Sequence, residues 1–417
     1  MAYTTRTTTG YGKRVSNSFK GILTGLICFI AGTVLLFWNE GNFVATKKSL
    51  QEAEGVAIHV ENVASVETAL NGKLIHATAF ADTQDVLTDE LYGVSERAIA
   101  LDRKVEYYQY WEREETETKE NWGGSEETIT TYTYSPGWVS EPIRSQDFAD
   151  PEYRSSNYIL TAIESKTSLA SNVSFGGYRL PSSMVSSIRG SAPVEINLSP
   201  ETLASYEETI RATMATYGTP TEATVVHVQG NQIYFGRSEA NPQIGDVKVT
   251  FTKVVPADIS IIAQVVNDTF EQFTASNGKT FLSVEMGTVS MDTMFANAHA
   301  QNSGITRLLR LLGVILVIGG LKSMFEILST LLKVVPFLAS IVGAGVGLVC
   351  FVGGLAWSVL VIAIAWLWYR PLIWILMLIA VAAGIRFLKT KGKKGKADSS
   401  TEEAPKEEVQ KEEVQAE

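Results

Sequence analysis

Cysteine and histidine are scarce in this 417-residue chain, which has two cysteines and four histidines. Both cysteines, Cys28 and Cys350, lie in apolar stretches, so no disulfide can stabilise the polar part of the chain. The histidines are not spaced as metal ligands, and no His-Glu-x-x-His, Gly-x-Ser-x-Gly, Cys-x-x-Cys or phosphate-binding loop occurs. These absences argue against an enzyme and predict no catalytic, cofactor-binding or metal-binding residue.

Charged residues are absent from a long segment near the C-terminus, residues 334–369. A helix needs only about 20 apolar residues to cross the hydrocarbon core of a bilayer. Residues 21–38 form a second uncharged stretch, and residues 311–321 form a shorter third one. The sequence therefore predicts an integral, multi-pass membrane protein.

The charges that are present divide unevenly along the chain. The net charge of −10 consists of +3 in residues 1–40, −17 in 41–303, +10 in 304–396 and −6 in 397–417. Basic residues precede the first apolar stretch and follow the last one, and the positive-inside rule assigns both ends to the cytoplasmic side. The number of spans is then even, and the acidic middle segment lies on the opposite side.

We therefore predict four transmembrane helices. After a basic arm at residues 1–20, the helices occupy residues 21–38, 306–328, 337–365 and 371–388, with a short inner loop at 329–336 and an outer turn at 366–370. Tyr369, Arg370 and Pro371 suit that turn, because aromatic residues favour the membrane interface and proline favours the first turn of a helix. A split of the third span at residues 353–354 is one alternative. A cleaved signal peptide in place of the first span is another, although no Ala-x-Ala-like site follows it.

The middle segment, residues 39–305, is long enough to fold around its own hydrophobic core. Asn277-Gly278 is a short-hairpin signal, and residues 85–102 and 199–217 have helical spacing. The fold class is thus an α+β membrane protein, in which a large β-rich extracytoplasmic or luminal domain separates the first span from the other three. Strands are predicted where β-branched and aromatic residues concentrate, at residues 73–80, 105–111, 128–134, 232–235, 246–253 and 259–266.

The most distinctive surface is a predicted hairpin that joins the second and third of these strands through a long exposed tip. Aromatic rings beside carboxylates could bind a basic peptide or a cation there. The alternative is a half-buried hairpin that packs Trp111 against the domain and uses its charged edge to prevent strand-to-strand aggregation. The candidate interaction residues are Tyr107, Tyr108, Tyr110, Trp111, Glu112, Glu114 and Glu115.

Two features of the spans are also candidate sites. Lys322 and Glu326 lie four residues apart near the inner end of the second span, as either an interfacial amphipathic turn or a conduction or coupling site. Ala339, Gly343 and Gly347 form a face of small residues in the third span. Small residues let helices approach closely, so this face serves either packing within one bundle or self-association into a homo-oligomer.

The C-terminal tail has two parts. Lys389 to Lys396 (KTKGKKGK) is a polybasic cluster that is expected to bind the anionic inner leaflet. Residues 397–417 repeat Lys-Glu-Glu-Val-Gln, lack aromatic residues and are expected to be disordered.

Several separate segments, in order along the chain, carry a resemblance to a known family. They resemble the LUMA family, also called transmembrane protein forty-three, over nearly the whole chain up to Phe387. One departure is Ile305-Thr306-Arg307, where the family usually has a Trp before its Leu-x-Arg. The matching segments are Asn39-Glu40-Gly41, Ser49-Leu50-x-Glu52-x-x-Gly55, residues 105–111, Tyr132-x-Tyr134-x-x-x-Trp138, Gly245-Asp246-Val247-x-Val249-x-Phe251, Met294-Phe295, Asn302, Thr306, Leu308-x-Arg310 and Tyr369-Arg370-Pro371-Leu372.

The resemblance implies four spans, both termini on the cytoplasmic or nucleoplasmic side, and a large luminal or periplasmic domain. Animal members are associated with the endoplasmic reticulum and inner nuclear membrane, where they organise protein complexes and self-associate. Many bacteria carry relatives, for which the cytoplasmic membrane is the expected location, and the sequence leaves the organism open. We expect a non-enzymatic scaffold that binds membrane or extracytoplasmic proteins or lipid and no nucleic acid. A channel or transport accessory subunit is the alternative, and a lipid- or envelope-modifying enzyme is a third.

Overall fold

The computed structural model describes residues 2–332, 336–370, 375 and 377–386. Short 3-10 helices lie at Thr68–Leu70, Ser145–Asp147 and Pro151–Tyr153. The α-helices are α1 (Tyr11–Val56), α2 (Ser182–Val185), α3 (Pro200–Thr216), α4 (Met291–Leu331), α5 (Pro336–Trp368) and a short apolar helix, α6 (Met377–Arg386).

Helices α1, α4 and α5 are each long and apolar enough to cross a membrane. Helices α1 and α4 lie side by side, with Gly21 near Ser323 at one end and Asn39 near Thr306 further along, so they run antiparallel. Outward-facing side chains such as Leu23, Ile315 and Val359 are 63%, 57% and 58% exposed. An exposed apolar surface on all three helices is what a lipid environment requires.

The β-rich domain between α1 and α4 contains most of the strands. The strand β1 (Ala2–Thr9) precedes α1, and the others follow it. They are β2 (Ile58–His59), β3 (Leu74–Thr83), β4 (Val86–Asp89), β5 (Val94–Arg97), β6 (Ala100–Glu120), β7 (Glu126–Val139), β8 (Lys166–Leu169), β9 (Val173–Phe175), β10 (Tyr178–Leu180), β11 (Ala192–Pro193), β12 (Val226–Gln229), β13 (Gln232–Phe235), β14 (Val247–Val254), β15 (Ala257–Val266), β16 (Thr269–Glu271), β17 (Phe273–Thr274), β18 (Thr280–Phe281) and β19 (Ser283–Met286).

Two large sheets organise these strands. One has eight strands in the order β1-β7-β6-β14-β13-β12, with β11 against β14 and β8 against β6. The other has seven strands in the order β19-β15-β16-β10-β9-β3-β2, and β15 also pairs with β3. That additional pairing closes β3, β9, β10, β16 and β15 into a small barrel. The pairs β4–β5 and β17–β18 are separate hairpins.

Each sheet has its own hydrophobic core. Phe175, Ile261 and Phe270 fill the barrel, and Val105, Phe235 and Phe251 belong to the core of the eight-stranded sheet, which the α3 residues Ile210 and Met214 cover. The carboxylate of Glu207 on α3 accepts hydrogen bonds from the backbone N–H groups of Val225 and Val226 at 3.0 and 2.9 Å. These cores are independent of the membrane helices.

The long helices continue beyond their apolar stretches into the domain. Ala53 of α1 and Met294 and Phe295 of α4 pack in one buried cluster with Leu74 and Ile262 of the barrel. The Glu52 carboxylate accepts from Ser276 Oγ at 2.6 Å, so the β17–β18 hairpin is attached to α1. The domain is thereby fixed to the ends of α1 and α4 rather than joined by loops.

The structure confirms six strands and one hairpin of the sequence interpretation. The strands predicted at residues 73–80, 232–235, 246–253 and 259–266 correspond to β3, β13, β14 and β15, with starts that differ by up to two residues. Residues 105–111 and 128–134 lie within longer strands, β6 and β7. Phe273 pairs with Phe281 across Asn277-Gly278, as predicted. The helix predicted at 199–217 is α3, whose Ser199 side chain accepts from Thr202 N at 3.1 Å as an N-cap.

The helix predicted at residues 85–102 is wrong. That segment forms the β4–β5 hairpin and the start of β6, with Val86 paired to Arg97 and Asp89 to Val94. Gly93 has φ +64° at the turn, a left-handed conformation that glycine adopts without strain. Leu87 and Leu91 are four residues apart, which is also the spacing of one face of a helix. The strand pairing that decides the structure cannot be read from such a local pattern.

Three of the four predicted spans correspond to α1, α4 and α5, all longer than predicted. Helix α4 continues to Leu331, into the predicted inner loop, and α5 reaches Trp368. The fourth predicted span lies only partly within the described residues, as α6, so its crossing of the membrane stays a prediction. The polybasic segment from Lys389 to Lys396 and the acidic tail lie outside the described residues.

Candidate functional site

The hairpin formed by β6 and β7 is much longer than the sequence indicated. Its strands pair from Tyr107–Val139 to Glu120–Glu126, so residues assigned to an exposed tip are regular strand. A third strand, β1, pairs antiparallel with the far end of β7, from Ala2–Thr133 to Thr9–Glu126. Residues 2–9, 113–120 and 126–133 thus form a three-stranded sheet that projects from the domain; we refer to it as the extension.

The N-terminal strand was missed by sequence reasoning, which assigned residues 1–20 to a basic arm. The signal was present, because Thr-Thr-Arg-Thr-Thr-Thr at residues 4–9 is a run of β-branched residues with high strand propensity. Its partner lies more than a hundred residues away, and no local pattern identifies such a pairing.

The base of the hairpin places its tyrosines against the domain. Tyr107 is 4% exposed, and its hydroxyl donates to the Ile163 carbonyl oxygen. The ring of Tyr108 meets that of Trp138 edge-on, with 5.2 Å between centroids, and Tyr110 meets Tyr153 at the same distance. A cation already occupies this aromatic surface, because Lys248 Nζ lies 4.4 Å from the centroid of Trp138.

Trp111 is not the buried anchor that the half-buried interpretation of the hairpin required. It is 40% exposed, because β6 has passed the edge of the core at that point. Gly137 on the paired strand faces its indole, and a Cβ there would lie 3.4 Å from Trp111 Nε1. The buried residues of this face are Val105, Tyr107 and Gln109.

The three carboxylates named from the sequence have different roles. Glu112 accepts from the Tyr134 hydroxyl at 2.5 Å and from Ala149 N at 2.7 Å, so it connects the hairpin to the loop at residues 148–150. Burial raises the pKa of Tyr134 to about 12, and the bond to Glu112 contributes to that rise. Glu114 and Glu115 are exposed on the extension and form no ion pair within the described part of the chain.

The tip of the extension is fixed to the N-terminal end of α1. Arg14 is 5% exposed and lies 2.9 Å from Glu120 and 2.7 Å from Glu126, the first and last residues around the turn. Its Nη1 also donates to the Gly124 carbonyl oxygen at 3.0 Å. The Tyr11 ring packs on Gly124, and the Tyr11 hydroxyl donates to the Leu331 carbonyl oxygen at 3.1 Å. The tip, the start of α1 and the end of α4 therefore meet.

These contacts determine where the extension runs. The domain packs on α1 at Ala53, the tip is fixed at Arg14, and the apolar stretch at residues 21–38 lies between them. The extension spans about 26 Å at roughly 3.3 Å per residue, close to the ~30 Å core of a bilayer. The charge argument assigned residues 1–20 and the hairpin to opposite sides of the membrane, yet here they are in contact. The side on which either lies stays a prediction.

A second cluster forms where the apolar stretch of α1 ends, and we call it the Glu40 cluster. Glu40 is fully buried and accepts two hydrogen bonds from Arg310, at 2.6 and 2.9 Å. Asn39 Nδ2 donates to the Thr306 carbonyl oxygen at 3.1 Å. A Cβ on Gly41 would overlap the Tyr369 ring, so glycine lets that ring pack directly on α1. Segments that carried the family resemblance, far apart in sequence, converge at this point.

Glycines pack α1 against α4. A Cβ on Gly25 would lie 2.7 Å from the Gly320 carbonyl oxygen, and one on Gly32 would lie 2.9 Å from that of Gly313. Backbones that approach this closely tolerate no larger side chain.

The small-residue face predicted in the third span is not part of this contact. A Cβ on Gly347 would have no described atom within 4 Å, and one on Gly343 would be nearest to Ser329 Cβ, at 3.7 Å. The side chain of Ala339 is outside the described residues. Lys322 and Glu326 are both exposed and form no ion pair with each other or with any described residue. Within one chain, the described geometry therefore gives no function to the Gly343–Gly347 face or to Lys322 and Glu326.

No group of three or more His, Cys, Asp or Glu side chains that could hold a metal ion occurs among the described residues. His59 and His76 meet at 2.8 Å between their Nδ1 atoms, and His76 Nε2 lies 2.9 Å from the Val289 carbonyl oxygen. Since a carbonyl only accepts, Nε2 of His76 carries the proton, and its Nδ1 accepts from His59. This pair joins the barrel to the start of α4.

Comparisons with known proteins agree with the resemblance seen in the sequence. The family model for transmembrane protein 43 matches residues 107–371. Transmembrane protein 43 of Rattus norvegicus is 29% identical over 374 residues, which is 87% of this chain and 88% of the relative. The Homo sapiens protein is 29% identical over 384 residues (89% and 90%), and the Drosophila melanogaster homolog is 24% identical over 374 residues (87% and 92%). No solved structure matches. The chain belongs to the transmembrane protein 43 family.

Proposed function

We propose that this protein is a non-enzymatic membrane scaffold that assembles with other membrane proteins, including further copies of itself, through the extension. The observation that carries this proposal is that the hairpin is fixed to α1 at its tip, by Arg14, while the domain is fixed to α1 at Ala53, so the polar three-stranded sheet extends along the level of the apolar stretch of α1. Residues 113–119 of β6 are all exposed, and threonine dominates β1. The packing of the domain on α1 and α4 supports the proposal as well, because it holds the extension in a fixed position relative to these helices.

Lipid cannot cover this sheet. Backbone N–H and C=O groups at membrane depth must be bonded, and non-helical backbone is tolerated there only inside protein or beside a water-filled cavity. Within the described residues no strand pairs with the outer edge of β1, or with the edge of β6 opposite β7 beyond Tyr107. Two open edges and polar faces therefore require covering protein, with or without enclosed water.

Two measurements in native membranes test the proposal. In a variant with Cys28 and Cys350 replaced by Ala, cysteines at Thr7 and Thr128, which are paired residues, should form a disulfide under mild oxidation. Cysteines at Thr7 and Thr118 are the matched control, because β7 separates those strands and they should stay unlinked. A photo-crosslinker at Thr116 should then capture protein.

Two results would overturn this assignment. If the Thr7–Thr128 pair stays reduced while an exposed pair elsewhere oxidises, the extension does not exist in the membrane. If the disulfide forms but Thr116 captures only lipid, the extension is not covered by protein and the scaffold proposal fails.

A further inference from the structure

A groove lies between α1 and α5, immediately below the Glu40 cluster. Its volume is about 480 Å³, within the range of roughly 300–1,000 Å³ that is typical of ligand sites. The walls are mainly apolar side chains, including Val34, Phe37, Leu360 and Ile364. The hydroxyl of Thr33 accepts from Trp357 Nε1 at 3.0 Å, so a polar group of the wall is bonded within the protein. The groove suits a hydrocarbon chain.

The groove opens toward the outside of the helix bundle. Val34, Leu360 and Ile364 are 60%, 49% and 50% exposed although they line it. The described part of α6 does not fill the groove, because its residues 377–386 are all exposed. In a bilayer the molecules around such a surface are lipids.

Beside the end of the groove, next in sequence to a lining residue, lies a positive charge with unused hydrogen-bond capacity. Tyr369 forms that end, and Arg370 follows it, stacked 4.5 Å from the centroid of Trp366. Burial lowers the pKa of Arg370, Glu40 opposes that effect and Arg310 adds to it, so both charges of the Glu40 cluster act on Arg370. Both oxygens of Glu40 already bond Arg310.

Two buried polar atoms in this region have no hydrogen-bond partner among the described residues: Nη1 of Arg370, a donor, and Oδ1 of Asn39, an acceptor. Buried polar groups are normally bonded, and an unpaired charged donor is the most costly case. A ligand that brings a negatively charged acceptor would satisfy the guanidinium, and a headgroup hydroxyl would suit the amide oxygen.

We propose that the groove between α1 and α5 binds an acyl chain of an anionic phospholipid, whose phosphate accepts hydrogen bonds from Arg370. The groove supplies apolar contact, and Arg370 selects the headgroup charge. A zwitterionic lipid offers the same chain but carries its own cation, which Arg310 and Arg370 repel. The site lies apart from the extension, so it does not depend on the scaffold proposal.

Native mass spectrometry of the full chain in detergent tests this site, with phosphatidylglycerol, phosphatidylcholine and inorganic phosphate as probes. The wild type should retain phosphatidylglycerol in preference to phosphatidylcholine. Arg370→Gln should lower phosphatidylglycerol retention about tenfold, since a charge-assisted hydrogen bond is lost. Arg307→Gln removes an exposed charge on α4, next to Thr306 of the Glu40 cluster, and should change little.

A second pair of variants tests the chain-binding part. Val34→Trp fills the groove from an exposed position and should lower retention of phosphatidylglycerol, whereas Val349→Trp, on an exposed face 71% accessible and outside the groove, should not. Arg370→Lys keeps the positive charge and should retain more phosphatidylglycerol than Arg370→Gln. Thermal unfolding of each variant shows whether a loss of binding comes from a loss of folding. Any of three results would overturn the proposal. The protein could retain both lipids equally, Arg370→Gln and Arg307→Gln could have equal effects, or inorganic phosphate alone could displace the lipid fully.

Discussion

Tyr107 and Trp111 lie four residues apart on β6 and have different surroundings. Tyr107 is 4% exposed and bonded to Ile163, whereas Trp111 is 40% exposed beyond the core. We expect Tyr107→Ala to lower the free energy of unfolding by about 3–5 kcal/mol and Trp111→Ala to lower it by less than about 2 kcal/mol. Chemical denaturation of the two variants in parallel measures the difference. A larger loss for Trp111→Ala would show that the indole is covered in the native protein.

His76 predicts a pH dependence of stability. It is 2% exposed, and burial lowers its pKa, with the neighbouring His59 adding to the effect and the Val289 carbonyl opposing it. The folded state therefore disfavours the protonated ring, while the unfolded chain takes up a proton below about pH 6.5. Stability is fully present above that pH and is lost as the pH falls toward the lowered pKa of the folded state.

Thermal unfolding at about pH 7.5 and about pH 5.5 measures this effect. We expect the melting temperature to fall at the lower pH, and His76→Gln to reduce the fall because an amide keeps the bond to Val289 without titrating. His299→Gln is the control: it removes a ring that lies 3.7 Å from a Glu54 oxygen and outside the His59–His76 pair, and it should not reduce the fall. An unchanged fall in His76→Gln would assign the pH dependence to other groups.

At the level of elements, the sequence predicted what depends on local pattern and missed what depends on distant pairing. Residues 232–235 and 199–217 were predicted because alternation and an N-cap are local signals. The extension was not, since β1 and β7 pair across α1 and much of the domain. The hairpin residues were found as a candidate site, but their roles depend on packing: Glu112 bonds Tyr134, and Trp111 is half exposed.

The Glu40 cluster was found only as separate motifs. In the sequence, Asn39-Glu40-Gly41, Thr306, Arg310 and Tyr369 are separate segments that resemble the family. Their convergence needs the antiparallel packing of α1 and α4 and the position of α5. An apolar pattern predicts that helices exist but not which faces meet.

Two glycines distinguish packing within the chain from packing between chains. A Cβ on Gly320 would lie 2.6 Å from Phe29 N, whereas Gly347 has open space around it. We expect Gly320→Val to separate α1 from α4 and to cost about 1–3 kcal/mol, seen as a lower melting temperature in detergent. Gly347→Val should leave the melting temperature unchanged. If the Gly343–Gly347 face mediates self-association, Gly347→Val should reduce the oligomer size measured by light scattering. An unchanged oligomer size would show that this face is not part of the interface.

The whole molecule combines the hydrophobic cores of two sheets, a bundle of long helices, and the extension, which is part of neither core. Because Arg113 and Thr133 are paired across β6 and β7, an Asn-Gly turn can replace residues 114–132 without disturbing the strands below. The residues removed belong to none of the hydrophobic clusters of the domain. We expect the shortened chain to keep the cores of both sheets and to lose the β1 pairing and the ion pairs of Arg14. A chemical crosslinker that needs no residue of the extension should then fail to recover the protein partners of the wild type.

The matched control for that deletion is the triple substitution of Glu114, Glu115 and Glu117 by Gln. It keeps all three strands of the extension and removes only exposed carboxylates. We expect this variant to retain the partners, since the groups that must be covered are the open backbone edges rather than these charges. If it folds but loses its partners, and high salt has the same effect on the wild type, the extension recognises basic partners by charge instead. Partners retained by the shortened chain would show that assembly proceeds through another surface.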